Sequence, residues 1–232
     1  MKTVLIGGGS IGKDNTKYET KEIDEEITKL SEKEKPNFLY IGFASKHSER
    51  NFKLLKNIYQ KLNCKTTQLK RKTLEQNFEL AEKKLEEADI IYIGGGDTIE
   101  LIEIMEKYNI KKHLEKAKNR NCVLVGMSAG AIYLSQAGFS DSKILRGESN
   151  HYTEIKGIGF APINICPHFH ESQAKTIELQ EWIKKEKKTY YGLENQTAII
   201  YINQERIIIK SNPTANVYQC EMTNNYQERV LN

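Results

Sequence analysis

The segment that offers the clearest chemistry is Gly126-Met127-Ser128-Ala129-Gly130, which fits the pattern G-x-S-x-G after the apolar run Cys122–Val125. A serine in that position lies on a tight turn at the carboxyl end of a strand, where small neighbours keep its hydroxyl exposed. The backbone amide of Ala129 would then form one half of an oxyanion hole. A serine that only caps the following helix is the alternative. The motif alone leaves both interpretations open.

A nucleophilic serine needs a base that removes its proton as it attacks. His168 follows the apolar strand Ile163–Cys166, so it should emerge at the same sheet edge as Ser128, and we favour it as the base. His170 lies farther from the strand end. The other three histidines lie in charged or polar segments, and we expect them at the surface: His47, His113 and His151.

A base histidine also needs an acceptor that holds its tautomer and stabilises the imidazolium. The sequence offers three carboxylates for this role: Glu171, Asp141 and Glu194. Glu194 lies at the head of a predicted strand and near a glycine, which indicates a fixed position. From spacing alone it would still be an ordinary turn carboxylate, so the residues do not decide the acid.

Short β-branched runs alternate with helical patterns, which predicts an α/β fold with a mainly parallel sheet and helices on both faces. The predicted central strands are Thr3–Ile6, Asn37–Phe43, Thr66–Leu69, Ile90–Ile93, Cys122–Val125 and Ile163–Cys166. Three later runs are spaced like antiparallel edge strands near the C-terminus: Thr197–Tyr201, Arg206–Lys210 and Asn216–Glu221. We expect residues 1–232 to form a single domain.

Composition excludes several classes of function. The 232 residues are 38% hydrophobic and 28% charged, and the net charge of +4 comes from 35 basic and 31 acidic residues mixed along the same segments. Without a basic stripe, no nucleic-acid partner is expected. No apolar run approaches the roughly 20 residues of a membrane span, and the first residues lack the features of a secretory signal. We expect no membrane association, a cytoplasmic location and four reduced cysteines.

Four segments, in this order, resemble the peptidase E family: Ile93–Thr98, Gly126–Ala131, Cys166–Phe169 and Gly192–Glu194. That family comprises aspartyl dipeptidases and cyanophycinase-like exopeptidases on a fold like the class I glutamine amidotransferases. The resemblance implies a serine peptidase in which Ser128 is the nucleophile, His168 the base and Glu194 the third member of a Ser-His-Glu triad. It implies a small peptide substrate and no cofactor or metal, and it is compatible with a homodimer.

The resemblance also implies an oxyanion hole in which Gly95 and Gly96 supply the second amide, opposite Ala129. Substrate selection is less clear. Members that prefer aspartate carry an arginine shortly after the histidine, and this chain has none between Phe169 and Tyr191. Candidate substrate-binding residues are Asp97, Asp141 and His170. We expect Lys175 to be a solvated helix lysine.

Three other interpretations have partial support. Gly7, Gly9 and Gly12 fit G-x-G-x-x-G, and the segment through Lys13 nearly fits a Walker loop, but Asp14 replaces the hydroxyl residue that would bind magnesium. A glycine turn above the first strand is favoured instead. The alternate residues Cys166, His168 and His170 could face a zinc ion, but a zinc site needs a further ligand. A non-catalytic binding module with the same fold is the alternative to an enzyme.

Overall fold

The structure is a computed structural model and describes residues 2–12, 16–203 and 205–231. Within these ranges the chain forms two mixed sheets. In spatial order, the seven-stranded sheet contains β11 (Glu205–Lys210), β10 (Thr197–Ile202), β1 (Lys2–Ile6), β5 (Val123–Met127), β4 (Ile90–Ile93), β2 (Asn37–Ile41) and β3 (Lys65–Leu69). The six-stranded sheet contains β13 (Tyr226–Leu231), β12 (Val217–Met222), β9 (Tyr190–Leu193), β8 (Ala161–Pro167), β6 (Ser135–Ser140) and β7 (Thr153–Lys156).

Helices pack on both faces of the seven-stranded sheet. The helices of the described ranges are α1 (Lys21–Leu30), α2 (Ser48–Lys61), α3 (Arg71–Gln76), α4 (Phe78–Glu87), α5 (Thr98–Lys107), α6 (Ile110–Asn119), α7 (Ala129–Leu134), α8 (Ser142–Leu145) and α9 (Gln173–Glu186). Helices α1 and α2 cover one face with side chains such as Ile27 and Tyr59, and α4 to α7 cover the other with side chains such as Leu85 and Leu101. The sequence-based α/β prediction is therefore confirmed.

Strand β1 is an interior strand of the larger sheet. It pairs with β5 in parallel and with β10 in antiparallel orientation, and all five of its residues are buried. Leu5 belongs to one hydrophobic cluster, while Val4 and Ile6 belong to the cluster on the opposite face. This alternation explains the apolar run Val4–Ile6, because a strand covered on both faces favours apolar residues at successive positions.

Three successive carbonyl oxygens at the end of β1, from Ile6 to Gly8, accept hydrogen bonds from three later segments of the chain. Ile6 O accepts from the amide of Ser128 at 3.0 Å, and Gly7 O accepts from the amide of His168 at 3.1 Å. Gly8 O accepts from the amide of Gln196 at 2.9 Å. The end of the first strand therefore fixes the relative positions of the serine, histidine and strand β10 segments.

The second sheet was not predicted as a separate layer. Strand β8, expected in the central sheet, instead pairs with β6 and β9, and the predicted edge strand Asn216–Glu221 is β12 of the second sheet. Strand β6 was missed because its sequence, Ser-Gln-Ala-Gly-Phe-Ser, carries little β-branched or apolar signal. Strands β6 and β8 run in parallel, so the segments that follow them meet at one edge.

His113 is buried, so the prediction that it lies at the surface is wrong. Its side chain is buried between α4 and α6, where it stacks edge-on against Phe78 and lies 3.6 Å from Glu82. Burial is the main cause that lowers its pKa. The flanking charges of α6 face solvent, whereas His113 is on the helix face that packs inward with Ile110 and Leu114. Among the described residues, no helix combines the length and apolarity that crossing a membrane requires.

Candidate active site

Ser128 occupies a strained turn between β5 and α7. Its backbone has φ 51° and ψ −110°, a conformation rarely adopted by a residue with a side chain. The two flanking glycines permit this turn. A Cβ on Gly126 would lie 2.5 Å from the amide nitrogen of Ala131, and one on Gly130 would overlap the carbonyl of Ile93. The G-x-S-x-G pattern is thus explained by backbone segments that pass too close to positions 126 and 130 to admit a side chain.

The structure brings His168 to Ser128. The His168 Nε2 atom lies 2.9 Å from Ser128 Oγ, within hydrogen-bonding distance. His168 follows β8 and adopts a positive φ of 53°, and the next amide, of Phe169, donates to Leu193 O at 3.0 Å. Because β8 belongs to the second sheet, the two residues meet across the sheets and not along one edge.

Asn195 occupies the other side of the imidazole. Its Oδ1 atom lies 2.7 Å from His168 Nδ1. An amide oxygen only accepts, so Nδ1 carries the proton and Nε2 is left to accept from the serine hydroxyl. Ser128, His168 and Asn195 therefore form a continuous hydrogen-bonded chain. No sequence motif marked Asn195, although it directly follows a candidate acid.

Glu194, the residue expected at this position, is placed elsewhere. Its carboxylate accepts from the amide of Asn216 at 2.7 Å, and Oε1 lies 3.0 Å from His170 Nδ1. Glu194 and Asn195 lie between β9 and β10, where Asn195 and Gln196 form a turn, and their side chains have different partners. The segment after β9 therefore directs Asn195 toward His168 and Glu194 toward β12, and the expected Glu194–His168 contact is wrong.

A second group approaches His168 Nδ1. Glu171 Oε2 lies 3.3 Å from this nitrogen, and Glu171 Oε1 lies 3.5 Å from Asn195 Nδ2. The Glu171 side chain is 59% exposed, so the carboxylate stands at the solvent side of the site. It is the only one of the three carboxylate candidates that the described residues show in contact with His168.

Several charges act on the His168 imidazole. Burial is the largest cause that lowers its pKa, and the nearby ammonium of Lys175 lowers it further. Glu171, the hydrogen bond that His168 donates to Asn195 and the charge of Asp141 act in the opposite direction. The net lowering favours the neutral imidazole, which is the form that can accept a proton from a hydroxyl.

Lys175 is not the solvated lysine expected from the sequence. It is buried, its Nζ donates to Pro167 O at 2.7 Å, and it lies over the ring of Tyr152. No carboxylate of the described residues lies within 4.0 Å of this ammonium. Helix α9 carries the lysine inward because it packs against the second sheet through Leu179 and Ile183.

The glycines after β4 lie beside the serine. A Cβ on Gly95 would be 3.1 Å from Ser128 Cβ and 3.6 Å from Ser128 Oγ. Gly96 has φ 135° and packs against the carbonyl of Ala44, while Ala129 is buried at the start of α7. This placement puts backbone from both sides next to the serine hydroxyl, as the predicted oxyanion hole requires.

Asp97 has a different role from the substrate contact suggested by the sequence. Its Oδ1 caps α5 by accepting from the amides of Ile99 and Glu100, and its Oδ2 lies 2.6 Å from Nε of Arg146. Both carboxylate oxygens of Asp97 therefore have partners within the protein, and its substrate contact stays a prediction. Arg146 was missed because it lies in a loop without a recognisable motif.

Asp141 and His170 are the remaining substrate candidates. Asp141 follows β6 and is half-buried on the same side as His168, whose pKa its charge raises. His170 is held between two carboxylates, at 3.0 Å from Glu194 and 3.1 Å from Glu228. His170 is thus engaged in internal contacts, and its substrate contact stays a prediction. Asp141 has no ion pair within 4.0 Å among the described residues.

The N-terminal glycines contact the site. A Cβ on Gly8 would lie 2.5 Å from His168 Nδ1, and it would also overlap Asn195 Oδ1. Gly8 therefore lets the backbone pass directly beside the His168–Asn195 pair, which explains the glycine turn without a nucleotide. Lys13 and Asp14, which entered the Walker comparison, lie outside the described residues.

The imagined zinc ligands do not converge. Cys166 is fully buried with its thiol near Pro167 O, and the two His170 nitrogens face glutamates. In the described part of the chain, no group of three or more His, Cys, Asp or Glu side chains is arranged to hold a metal ion.

The sequence matches the model of peptidase family S51 over residues 3–209. The chain belongs to this family. It is 25% identical over 224 residues to the uncharacterized peptidase YgaJ of Bacillus subtilis strain 168, a match that covers 96% of this chain and 93% of YgaJ. The S51 membership and this relative make the protein a serine peptidase.

Two solved structures share the fold of this S51 peptidase. A Listeria monocytogenes EGD-e protein described as a "Putative Peptidase E Protein" has a TM-score of 0.66 and 18% identity, covering 90% of this chain and 98% of that chain. A peptidase from an acI-B1 Actinobacterium has a TM-score of 0.70 and 19% identity, covering 99% of this chain and 93% of that chain. The fold is that of the peptidase E structures, which is like the class I glutamine amidotransferases.

Proposed function

We propose that this S51 peptidase is an exopeptidase that hydrolyses short peptides through a covalent ester on Ser128. The observation that carries the proposal is the 2.9 Å contact between His168 Nε2 and a serine hydroxyl held on a strained, positive-φ turn. Strain of this kind persists where the surrounding structure enforces it and clusters at active sites. Here the Ile6–Ser128 and Gly7–His168 backbone hydrogen bonds enforce it.

In the proposed reaction, neutral His168 accepts the hydroxyl proton as Ser128 Oγ attacks the peptide carbonyl. The tetrahedral intermediate collapses when His168 donates that proton to the leaving amine. A water molecule then attacks the ester, with His168 again acting as the base, and the acid product leaves Ser128 free. The lowered pKa of His168 supports the first step, because the imidazole enters the cycle as a free base.

The amides at Gly95 or Gly96 and at Ala129 are proposed to stabilise the oxyanion. Gly95 supports this role because its backbone passes beside Ser128, where a Cβ would be only 3.6 Å from Oγ. Backbone donors fixed in place before the reaction need no reorganisation as negative charge develops. The anchoring of Asp97 to Arg146 keeps the glycine segment in position.

Asn195 takes the place in the proposed triad that the sequence suggested for Glu194. Its amide oxygen, 2.7 Å from Nδ1, selects the tautomer that leaves Nε2 free to act as a base. A neutral amide can orient the imidazole in this way without supplying a negative charge.

We place the substrate's free amino group near Asp141. An exopeptidase recognises a chain terminus, and an ammonium group is best met by a partly buried carboxylate without an internal ion pair. Asp141 has this character and follows β6, the parallel neighbour of the strand that delivers His168. The four cysteines are free and buried, which supports a reducing, cytoplasmic setting.

Labelling with a fluorophosphonate, followed by assays on dipeptides that differ in the first residue, tests the proposal. We expect Ser128 to be labelled and the Ser128→Ala protein to be neither labelled nor active, with kcat at least about 10³-fold lower. N-acetylation of the best dipeptide should raise KM in the wild type and much less in Asp141→Asn. A wild type that is neither labelled nor active would instead support a non-catalytic binding module, and equal hydrolysis rates in Ser128→Ala would exclude Ser128 as the nucleophile.

A further inference from the structure

The hydrogen-bonded pair of His168 and Asn195 lacks the negative charge that usually faces a base histidine. During the proposed reaction the imidazole becomes a cation, and a nearby carboxylate stabilises that state. The amide of Asn195 accepts a hydrogen bond but carries no charge. The site therefore needs another source of negative charge close to His168 Nδ1.

Glu171 is in position to supply it. Its Oε2 is 3.3 Å from His168 Nδ1, whereas Asp141 forms no ion pair with His168 within 4.0 Å in the described structure. The positive φ of His170, 63°, turns the chain so that Glu171, three residues after His168, folds back onto the ring. The other glutamate of this region, Glu194, is occupied by His170 and Asn216.

The same carboxylate also sets the orientation of the Asn195 amide. A carboxylate only accepts hydrogen bonds, so the NH2 group of Asn195 must face Glu171 Oε1, at 3.5 Å. The amide oxygen is then left to face His168 Nδ1. A reversed amide would point NH2 at the ring and disfavour the tautomer in which Nε2 accepts from Ser128.

We propose that Glu171 is a positioning residue that shares with Asn195 the work of one triad acid: Asn195 fixes the tautomer, and Glu171 supplies the charge and orients the amide. This inference rests on the proposed function and names a further residue of the same site. Three charged groups face the imidazole from different elements: Lys175 from α9, Asp141 from the segment after β6, and Glu171 from the turn after β8.

The test uses diisopropyl fluorophosphate as the probe, because its rate of reaction with Ser128 reports the base without depending on the peptide substrate. The rate constant for inactivation is measured from pH 5 to 9 in the wild type and in Glu171→Gln. We expect a plateau about fivefold lower, as suits a partly exposed charge pair. Because Glu171 raises the pKa of His168, its loss should also move the acid limb of the profile to lower pH.

A carboxylate introduced at position 195 should restore the inactivation rate of the Glu171→Gln variant. Asn195→Asp in the Glu171→Gln background should restore the plateau to within about threefold of the wild type and move the acid limb to higher pH. Glu181→Gln serves as the control, since Glu181 lies on α9 and pairs only with exposed Lys184 in the described structure.

Each outcome decides a separate point. A wild type that the probe does not label overturns the proposed function. Labelling of the wild type together with a wild-type rate and acid limb in Glu171→Gln overturns only the role of Glu171. A raised KM for peptides with an unchanged probe profile would assign Glu171 to the substrate ammonium and would equally overturn the proposal.

Discussion

His168 and Asn195 face each other at 2.7 Å, on the side of the imidazole opposite Ser128. The residue just before this asparagine, Glu194, has its carboxylate directed to His170. A difference of one position in the chain therefore decides whether an amide or a carboxylate orients the imidazole.

Replacement of Asn195 by Ala should lower kcat by about 10²-fold, because the imidazole loses the acceptor that fixes its tautomer. Glu194→Gln should keep kcat within about threefold of the wild type, since its contacts are to other residues. Steady-state kinetics on the best dipeptide measure both. A decrease in kcat in Glu194→Gln as large as that in Asn195→Ala would instead support Glu194 as the third member of the triad.

Gly8→Ala should impair the site while the rest of the fold stays intact. The added methyl group would overlap His168 and Asn195, so kcat should fall by about tenfold or more. Gly147→Ala is a matched control, because Gly147 has φ 71° and nothing within 4 Å of an added Cβ. Thermal unfolding should show similar stability losses in the two variants. Equal kcat in both would mean that the Gly8 contact does not matter.

Lys175→Met should change the pH dependence of the reaction. Lys175 lowers the pKa of His168, so removing its charge raises that pKa, and more of the imidazole is protonated at mildly acidic pH. The acid limb of kcat/KM should therefore move to higher pH, with the largest loss of activity below the wild-type limb. Lys184→Met on the exposed face of the same helix should leave the profile in place. A shift to lower pH in Lys175→Met would contradict the assigned sign.

Asp97→Ala should lower kcat by about tenfold and leave KM nearly unchanged, because Asp97 anchors the glycine segment and not the substrate. Losing the helix cap should also cost about 1 kcal/mol in the free energy of unfolding. Asn77→Ala removes the equivalent cap of α4, a hydrogen bond to the amide of Leu80, and should cost as much stability without affecting kcat. A rise in KM in Asp97→Ala but not in Asn77→Ala would instead support a contact between Asp97 and the substrate.

Much of this architecture could be predicted from the sequence. Apolar runs bounded by glycines marked β1, β4 and β5, because strands buried on both faces leave a continuous signal. The serine turn was recognisable since its glycines are required by close backbone contacts at Gly126 and Gly130.

The remaining features depend on tertiary contacts that have no local signature. Which of two adjacent residues, Glu194 or Asn195, faces His168 depends on the direction of the chain as it leaves β9. The burial of Lys175 depends on packing of α9 against the second sheet, and a lysine in a charged helix gives no sign of it. Arg146 could not be found because its partner lies 49 positions away.

The carbonyl oxygens of Ile6, Gly7 and Gly8 bind segments that are synthesised much later than β1. Strand β1 cannot form its sheet pairings when it is first synthesised, because its two neighbours, β5 and β10, come much later in the sequence. During synthesis, the hydroxyl and the imidazole cannot be locked together until the segment near Gln196 has been produced and has docked beside Gly8. We therefore expect Ser128 and His168 to be held together only after the residues up to Gln196 have been synthesised.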